Sequence, residues 1–312
     1  MQKIRHYAKP RNVGTNNKMR DYKKILDEIY FKLYKRDVDF SMNIFLCGAE
    51  TGQKDSIRDL LNTEFKKDAK FNSVYPEYIF SSLYGKGGAN LLELEDDLAT
   101  YVDVIILPLE GIGTYCELGA FAVNKSLLPK IILINDEKFK KSRSFINLGP
   151  IDLIKKSNPN NLIYYTKGKE IDVINPIVDK IRLKRLDKEI TYDLENLFNL
   201  SRYILYLIAI FQPIDNLEIE KLLKIQNREK VKSKYIDSAI QILTQKNRIE
   251  QDFDSNLKSI YFLSDDGHNY VYEELIKKLK VKRDFTNIRS DILNERFKQK
   301  RKFMSKDKKL LV

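Results

Sequence analysis

The sequence has few of the residues that usually carry metal or nucleophilic chemistry. Among its 312 residues, two are cysteines and two are histidines. Cys47 and Cys116 do not provide a disulfide framework, and their apolar neighbours indicate reduced, buried thiols. His6 and His268 leave almost no material for a zinc site or a Ser-His-Asp triad. We therefore expect no metal, and we expect carboxylates to carry any acid–base or nucleophilic chemistry.

The sequence also lacks a long run of apolar residues. A membrane-spanning helix needs about 18 or more of them, and the most apolar segment, residues 203–211, is too short and has helical periodicity. The N-terminal residues are polar and lack the hydrophobic core of a signal peptide. We therefore expect a cytoplasmic protein that does not act at a membrane.

The pattern of glycines excludes two phosphate-binding motifs. Cys116 stands after Gly111 and Gly113, at the position where the dinucleotide-binding fingerprint requires a third glycine. No Gly-Lys-Ser or Gly-Lys-Thr follows, so the segment is not a Walker A loop. Gly48 comes directly after the largely apolar run at residues 42–47. It either lets a ligand approach the backbone closely or forms a simple turn.

The stretch at residues 103–121 has the strongest pattern in the chain. Residues 104–107 are continuously apolar, which predicts a strand buried on both faces of a parallel sheet. A loop with two glycines follows, and residues 114–122 then predict a helix. Because ligands bind at the carboxyl ends of strands in open α/β sheets, the first turn of this helix would place Glu117 in the binding crevice.

Two interpretations of Glu117 are open at this stage. Thr114 and Glu117 have the spacing of a capping box, in which the glutamate only satisfies a backbone N–H at the helix start. Alternatively, Glu117 is a nucleophilic carboxylate that faces the anomeric carbon of a sugar, as in retaining glycosidic chemistry. The local sequence does not choose between them.

Strands that alternate with helices predict a parallel, Rossmann-like α/β domain. The predicted strands are residues 42–47, 73–75, 104–107, 130–134 and 162–165. Tyr75 and Glu77 would lie at the same end of the sheet as Gly48. The helix predicted at residues 90–101 carries Glu95 among four acidic residues, most of which should form a solvated face.

Beyond residue 197 the pattern changes to three helices followed by a β-hairpin. This is the layout of an α+β winged helix-turn-helix domain. Its third helix would present Lys230, Lys232 and Lys234 to nucleic acid. Many such modules mediate protein contacts only, so the sequence leaves that alternative open.

The positive charge of the chain is concentrated at its two ends. The formal net charge is +12, and residues 275–312 alone contain 14 Lys or Arg against 4 Asp or Glu. This asymmetry is typical of nucleic-acid-binding arms, although a tail that only confers solubility has the same composition. The tail residues that we expect at phosphates are Lys298, Lys300, Arg301 and Lys302. Phe285, Phe297 and Phe303 either stack on bases or complete a small core.

These patterns divide the chain into five predicted segments, with boundaries uncertain by about two to four residues. They are a basic arm with an amphipathic helix (1–37), the α/β catalytic domain (38–170), a helical connector (171–197), the winged helix-turn-helix domain (198–274) and a basic tail (275–312). The central segment carries the strand-end glutamate and is where we expect the chemistry.

The α/β segment resembles the nucleoside 2-deoxyribosyltransferase-like superfamily. The resemblance is carried by residues 43–48, by residues 103–107 and by the Glu-Leu-Gly-Ala-Phe run at residues 117–121. The run at residues 138–150, together with residues 75–77, resembles the effector proteins of bacterial retrons, which couple such a domain to a C-terminal winged helix. The resemblance covers about residues 42–165 well and the C-terminal half in layout only.

The resemblance implies roles for particular residues. In the superfamily the glutamate of the Glu-Leu-Gly motif is the nucleophile, which corresponds to Glu117, and an acidic residue that lines the site corresponds to Glu95. The early glycine of the family corresponds to Gly48, while Ala49 departs from the second glycine that is common there. The substrate-binding residues that we predict are Gly48, Ala49, Tyr75, Glu77, Glu95, Gly113, Thr114, Arg143 and Asn147.

The resemblance also implies a function. Retron effectors are understood as toxins that are held, as a higher-order complex or homo-oligomer, with a reverse transcriptase and its RNA–DNA hybrid product, msDNA. Infection by a phage releases them, and some that resemble this chain cleave NAD. We therefore expect an N-glycosidase that hydrolyses NAD, or another nucleotide, to a free base and a sugar nucleotide, with no bound cofactor.

The chemistry of the leaving group favours nicotinamide over other bases. A pyridinium departs as a neutral amide and needs no proton, whereas a purine or pyrimidine usually needs one from a general acid. Glu95 could be that acid only if its pKa were raised; otherwise it would orient ribose hydroxyls. Arg143 and Asn147 are candidates for phosphate and carboxamide contacts or for structural roles.

The alternatives to an enzyme are a nucleotide-sensing, DNA-binding regulator and a scaffold for the reverse transcriptase.

Overall fold

The computed structural model describes residues 16–50, 52–79, 91–226, 231 and 233–307. The chain divides into two compact units, one formed by Asp39–Ile190 and the other by Met1–Val38 with Thr191–Val312. Residues 171–190, which we predicted as part of a connector, thus belong to the first unit. In the part of the chain that the structure describes, no helix is long and apolar enough to cross a membrane.

The described part of the chain begins with an amphipathic helix, α1 (Asn16–Glu28). One π-helical turn (Ile29–Leu33) and one 3-10 turn (Tyr34–Arg36) extend it. The side chains spaced along one face of these turns, Leu26, Ile29 and Leu33, are fully buried. Spacing of three to four residues places such side chains on a single stripe, which explains their common burial.

The first unit is a five-stranded parallel sheet with helices on both faces, which confirms the predicted α/β class. Its elements are β1 (Met42–Leu46), α2 (Ile57–Phe65), β2 (Phe71–Val74), α3 (Pro76–Ile79), α4 (Leu91–Tyr101), β3 (Val104–Pro108), α5 (Ile112–Ala122), β4 (Ile131–Asp136), α6 (Phe145–Leu148), α7 (Pro150–Ser157), β5 (Leu162–Tyr165) and α8 (Ile174–Leu186).

Burial on both faces explains why the central strands are apolar throughout. Every residue of β3 and of β4 is buried. On one face, Ile44 of β1 belongs to a core to which α2 and α8 contribute. On the other face, Phe45 contacts Phe121 of α5, with ring centroids 5.7 Å apart. Helix α8 lies in this unit because it buries apolar side chains in the first of these cores, among them Ile177 and Ile181.

The order of the strands determines where a ligand can enter. The order is β2-β1-β3-β4-β5, so the connections leave β1 and β3 in opposite directions and a crevice forms at their carboxyl ends. Leu46 is in register with Ile106, and the backbone N–H of Cys47 donates to the Ile106 carbonyl at 3.0 Å. The segments after β1 and after β3 therefore meet at this switch point.

The second unit places three helices before an antiparallel hairpin, in the predicted order. Besides α1 and the two turns that extend it, its elements are α9 (Leu197–Phe211), α10 (Asn216–Ile225), α11 (Ser233–Gln245), β6 (Ile249–Phe253), β7 (Ser259–Leu263), α12 (Asp265–Asn269), a π-helical segment (Tyr270–Ile276), α13 (Lys277–Leu279) and α14 (Lys282–Asp307). An isolated bridge pairs Ile214 with Tyr261 of the hairpin. That this unit is a winged helix-turn-helix stays a prediction.

The segment that we predicted as a basic tail contains helix α14, which packs on α9. Arg289 donates to the carbonyl of Ala209, and Arg296 donates to the carbonyl of Phe211 and to Glu218. Since the last carbonyls of a helix lack intrahelical partners, these arginines satisfy the end of α9. Part of the basic charge is therefore structural.

The aromatic residues of α14 separate into two environments. Phe285 is buried in the second unit, whereas Phe297 is 56% exposed, and the side chain of Phe303 lies outside the described residues. Phe285 thus completes a core, which is one of the two roles predicted for it; the other was stacking on bases.

Gly267 of α12 is expected to tolerate no side chain. A Cβ there would lie 1.7 Å from the carbonyl oxygen of Arg248, and backbone cannot move away as a flexible side chain can. We expect Gly267→Ala to lower the free energy of unfolding by at least about 3 kcal/mol, measured by urea denaturation followed by circular dichroism.

Gly119→Ala is the control, because nothing lies within 4 Å of the added methyl group in α5. It should be neutral or stabilising by about 0.5–1 kcal/mol. Equal effects of the two substitutions would show that the contact with Arg248 does not constrain the fold.

Candidate active site

Helix α5 carries Glu117 in its second turn, not at its start. The helix begins at Ile112 after Gly111, and Thr114 is its third residue. The Thr114 hydroxyl donates to the Gly111 carbonyl at 2.7 Å and faces the Gly111 N–H at 3.4 Å. The capping-box interpretation of Glu117 was therefore wrong, as was its placement in the first turn, because the helix starts two residues earlier than predicted.

Glu117 faces the carboxyl end of β1 rather than its own helix start. One of its oxygens, Oε2, is buried and accepts no hydrogen bond from the described residues. Burial raises the pKa of Glu117 above its ordinary value, and the nearby Glu77 adds to this increase. The Cys47 thiol, by hydrogen bonding, and the Arg58 cation both lower the pKa of Glu117 and so favour the ionised form.

Glu95 of α4 is a second acid at this site. Burial, together with the charges of Glu117 and Glu77, raises the pKa of Glu95 to about 7. Its neighbour Asp96 is exposed and accepts a hydrogen bond from Asn124, so it belongs to the solvated face. The condition under which Glu95 could act as an acid near neutral pH is thus met.

Arg58 is the buried cation of this cluster, and it was not among the predicted residues. Its side chain is 4% exposed and donates two hydrogen bonds to Glu77, at 2.8 and 2.9 Å. The same guanidinium donates to the Ala49 carbonyl at 2.8 Å and lies 4.4 Å from the centre of the Tyr75 ring. Its signal in the sequence is weak, since an arginine in the first turn of a helix is ordinarily exposed.

Gly48 is required by the close approach of Arg58. A Cβ at Gly48 would lie 2.7 Å from the Cβ of Arg58, and the residue has a φ of +140°. Side chains rarely adopt that backbone conformation. Four of the predicted residues thus lie against Arg58, which was not predicted. They are Gly48, Ala49, Tyr75 and Glu77.

Glu110 is another functional neighbour that sequence reasoning missed. Its carboxylate accepts hydrogen bonds from the backbone N–H groups of Ile57, at 2.7 Å, and Arg58, at 3.4 Å. It therefore occupies the N-terminus of α2, where dinucleotide-binding folds hold a phosphate. Burial raises the pKa of Glu110, and the backbone hydrogen bonds oppose this increase.

Two other predicted residues follow β4, Arg143 in the loop and Asn147 in the short helix α6. The Asn147 amide donates to the carbonyls of Phe139 and Ser142, both at 2.7 Å, and so closes this loop. Arg143 is exposed, as is Gly113 in the first turn of α5. Their roles in substrate binding stay predictions.

Most of the side chains predicted to contact nucleic acid fall outside the part of the chain that the structure describes. Lys230 and Lys232 lie outside the described residues, as do the side chains of Lys234, Lys300, Arg301 and Lys302. Lys298 is exposed and forms an ion pair with Glu295 at 2.9 Å. The nucleic-acid interface stays a prediction.

Gly48→Ala is expected to disturb the cluster through Arg58. The methyl group would displace the arginine from Glu77 in addition to straining the backbone. Gly52→Ala is a matched control, because Gly52 also has a positive φ, +90°, but nothing lies within 4 Å of the added methyl group. We expect Gly48→Ala to lower the free energy of unfolding by about 1–3 kcal/mol more than Gly52→Ala. A difference below about 0.5 kcal/mol would contradict this account.

The stability of the protein is expected to depend on the protonation of Glu95. Its pKa rises from 4.5 to about 7 on folding, so the folded state binds the proton more tightly than the unfolded state. Stability should therefore fall as the pH rises from about 5 to 8. Glu95→Gln should remove about 1–2 kcal/mol of this fall, because partial exposure to solvent weakens the effect of the shifted pKa. Urea titrations at both pH values measure the difference. Asp96→Asn, an exposed neighbour on α4, should keep the full dependence, and a Glu95→Gln protein that keeps it too would refute the assignment.

Comparison with known proteins shows the family. The profile of the STM3845 retron effector protein matches residues 54–251, more than half of the chain. The Escherichia coli "Retron Ec86 putative ribosyltransferase/DNA-binding protein" is 34% identical over 198 residues, which cover 59% of this chain and 64% of that protein. The "Retron Ec73 putative ribosyltransferase/DNA-binding protein" of the same organism is 34% identical over 139 residues, 42% of this chain and 44% of that protein. The chain thus spans less than two thirds of these relatives. It belongs to the STM3845 family of retron effector proteins.

Proposed function

We propose that this retron effector cleaves the N-glycosidic bond of a nucleotide and that Glu117 is its nucleophile. The observation that carries the proposal is the position of Glu117 at the β1/β3 switch point, where Oε2 is buried and has no hydrogen-bond donor among the described residues. A carboxylate oxygen that no donor occupies keeps its lone pairs for an electrophilic carbon once the carboxylate is ionised. The names of the two E. coli relatives, which include a ribosyltransferase activity, support glycosyl transfer.

The reaction proceeds in two steps. Glu117 forms a bond to the anomeric carbon while the electrons of the carbon–nitrogen bond leave with the base, through an oxocarbenium-like state. Water then attacks the same carbon, its proton passes to a carboxylate, and Glu117 is released. The Arg58 cation and the Cys47 thiol favour the ionised form of Glu117 that the first step needs.

Glu95 supplies the second carboxyl group of the mechanism. With a pKa of about 7, it is part protonated and part ionised near neutral pH. It can therefore hydrogen-bond to a ribose hydroxyl in either form, and it can take the proton from the attacking water. A carboxyl group whose pKa lies near the working pH is suited to both tasks.

NAD is the substrate that we propose. Its nicotinamide leaves as a neutral amide, so departure of the base needs no proton, and the products are nicotinamide and ADP-ribose. The cellular role that we propose is defence against phages, with the effector held inactive by the reverse transcriptase and the msDNA hybrid. The second unit would contribute as a winged helix that binds nucleic acid, which the DNA-binding names of the relatives support.

A second candidate function is a regulator that binds a nucleotide and DNA without catalysis. The observation that favours it is the raised pKa of Glu117, because a higher pKa lowers the fraction of the ionised, nucleophilic form at a given pH. This candidate predicts tight binding of the nucleotide and no product.

Glu117→Gln tests the enzymatic proposal. The amide keeps the size of the side chain and cannot form the glycosyl intermediate, so we expect NAD turnover by protein freed of nucleic acid to fall by at least about 1,000-fold. Nicotinamide and ADP-ribose are measured by mass spectrometry, and circular dichroism checks the fold.

Glu64→Gln on the surface of α2, where Glu64 pairs with Lys67, is the matched control and should keep wild-type turnover. If the wild type binds NAD and releases no product, the regulator is supported instead. Undiminished turnover in Glu117→Gln would eliminate Glu117 as the nucleophile.

A further inference from the structure

A cavity of about 250 Å³ lies beside the carboxylate cluster, and it shares Arg58 and Tyr75 with that cluster. Sites that enclose a whole drug-sized ligand measure about 300–1,000 Å³, so this cavity fits one part of a nucleotide. The residues that argue for a ligand line it from α2 and the end of β2: Ser56, Arg58, Asp59, Asn62, Lys66 and Tyr75.

The polar groups of this lining have unused hydrogen-bonding capacity. Arg58 Nε is buried and has no acceptor among the described residues, although the two terminal nitrogens of the same guanidinium are bonded. Asn62 is 9% exposed and uses its Oδ1 to accept from the Ser73 hydroxyl at 3.0 Å, which leaves its amide nitrogen as a donor. Buried donors in folded proteins are normally satisfied, so an acceptor from a ligand accounts for Arg58 Nε, and the Asn62 amide nitrogen is a second donor available to the same ligand.

The lining combines donors with two carboxylates, those of Asp59 and of Glu50 from the loop after β1. Lys66 and the two donors from Arg58 and Asn62 suit ring nitrogens or carbonyl oxygens, while the Asp59 carboxylate suits an amino group. A phosphate would be repelled by Asp59, and Glu110 occupies the neighbouring helix N-terminus. Adenine presents both ring-nitrogen acceptors and an amino donor on one edge, and the Tyr75 ring supplies an apolar wall.

We propose that this cavity binds the base of the substrate that is not cleaved, an adenine-type purine at the far end of a dinucleotide. The proposal rests on the proposed function, because it assigns the second half of the same substrate. Arg58 is the structural link between the halves: it lines the cavity, and it is ion-paired with Glu77 beside Glu117.

The test compares two substrates that share the scissile bond. NAD contains the adenosine half, and nicotinamide mononucleotide lacks it. We expect Lys66→Ala and Asn62→Leu to raise KM for NAD about tenfold, with kcat changed less than twofold, and to leave both constants for the mononucleotide unchanged. Lys67→Ala is the matched control on the adjacent residue, because Lys67 pairs with Glu64 and does not line the cavity.

Each outcome decides the proposal. Equal increases in KM for both substrates would place the leaving base, not the distal base, in the cavity, and unchanged constants for NAD would remove the cavity from the site. Lys66 is exposed, so its variant keeps the fold even if Asn62→Leu does not.

A binding measurement separates this proposal from the proposed function. If the wild type turns over neither substrate, the glycosidase proposal fails by itself. Calorimetry with adenosine monophosphate then tests the cavity: binding to the wild type and to Glu117→Gln that Lys66→Ala weakens about tenfold supports it. Absence of binding to the wild type overturns it.

Discussion

The buried guanidinium of Arg58 is the constraint on which the candidate site depends. With 4% of its side chain exposed, this cation has lost most of its hydration, and such a loss is unfavourable unless charged partners replace the water. Glu77 replaces it with two hydrogen bonds and Ala49 with a third. The site is therefore assembled around a charge that the fold must neutralise.

The same requirement links the backbone to the chemistry. Arg58 can approach the end of β1 only because Gly48 has no side chain. Its charge lowers the pKa of Glu117 and so opposes the increase that burial causes. Burial is the largest cause of the raised pKa of Glu95, and the nearby charges of Glu117 and Glu77 add to the increase, to about 7. The surroundings thus raise the pKa of both Glu95 and Glu117, while the Cys47 thiol and the Arg58 cation oppose the increase at Glu117.

The sequence predicted the features that depend on local pattern. The parallel sheet followed from continuous apolar runs such as β3, and the strand-end rule brought Glu117 to the crevice. Arg58 and Glu110 were missed because their partners are remote in sequence, 19 residues away for the pair with Glu77 and 53 for the bond to Ile57. No periodicity encodes such a pairing, and it becomes visible only when the strand order brings the loops together.

Charge composition was a poorer guide than apolar pattern. The composition of the C-terminal segment predicts a net positive charge, but it does not show which basic side chains bind to the rest of the protein. Arg289 and Arg296 satisfy the last carbonyls of α9, so a chain-end arginine can be a helix cap instead of a phosphate contact. A count of basic residues therefore sets an upper bound on the surface available to nucleic acid.

The position of Glu110 is relevant to the proposed nucleotide site, which has no glycine-rich fingerprint. In dinucleotide-binding folds the helix after β1 offers its free N–H groups to a pyrophosphate. Here a carboxylate from the loop after β3 accepts from those groups, so a second negative charge would be repelled. The missing third glycine is a separate feature, because Cys116 lies in α5 and not at the start of α2. In the proposed site, side chains take over recognition from the backbone. Recognition by side chains places more weight on the sugar and the bases of the substrate than on its phosphates, which suits a site that acts on a glycosidic bond.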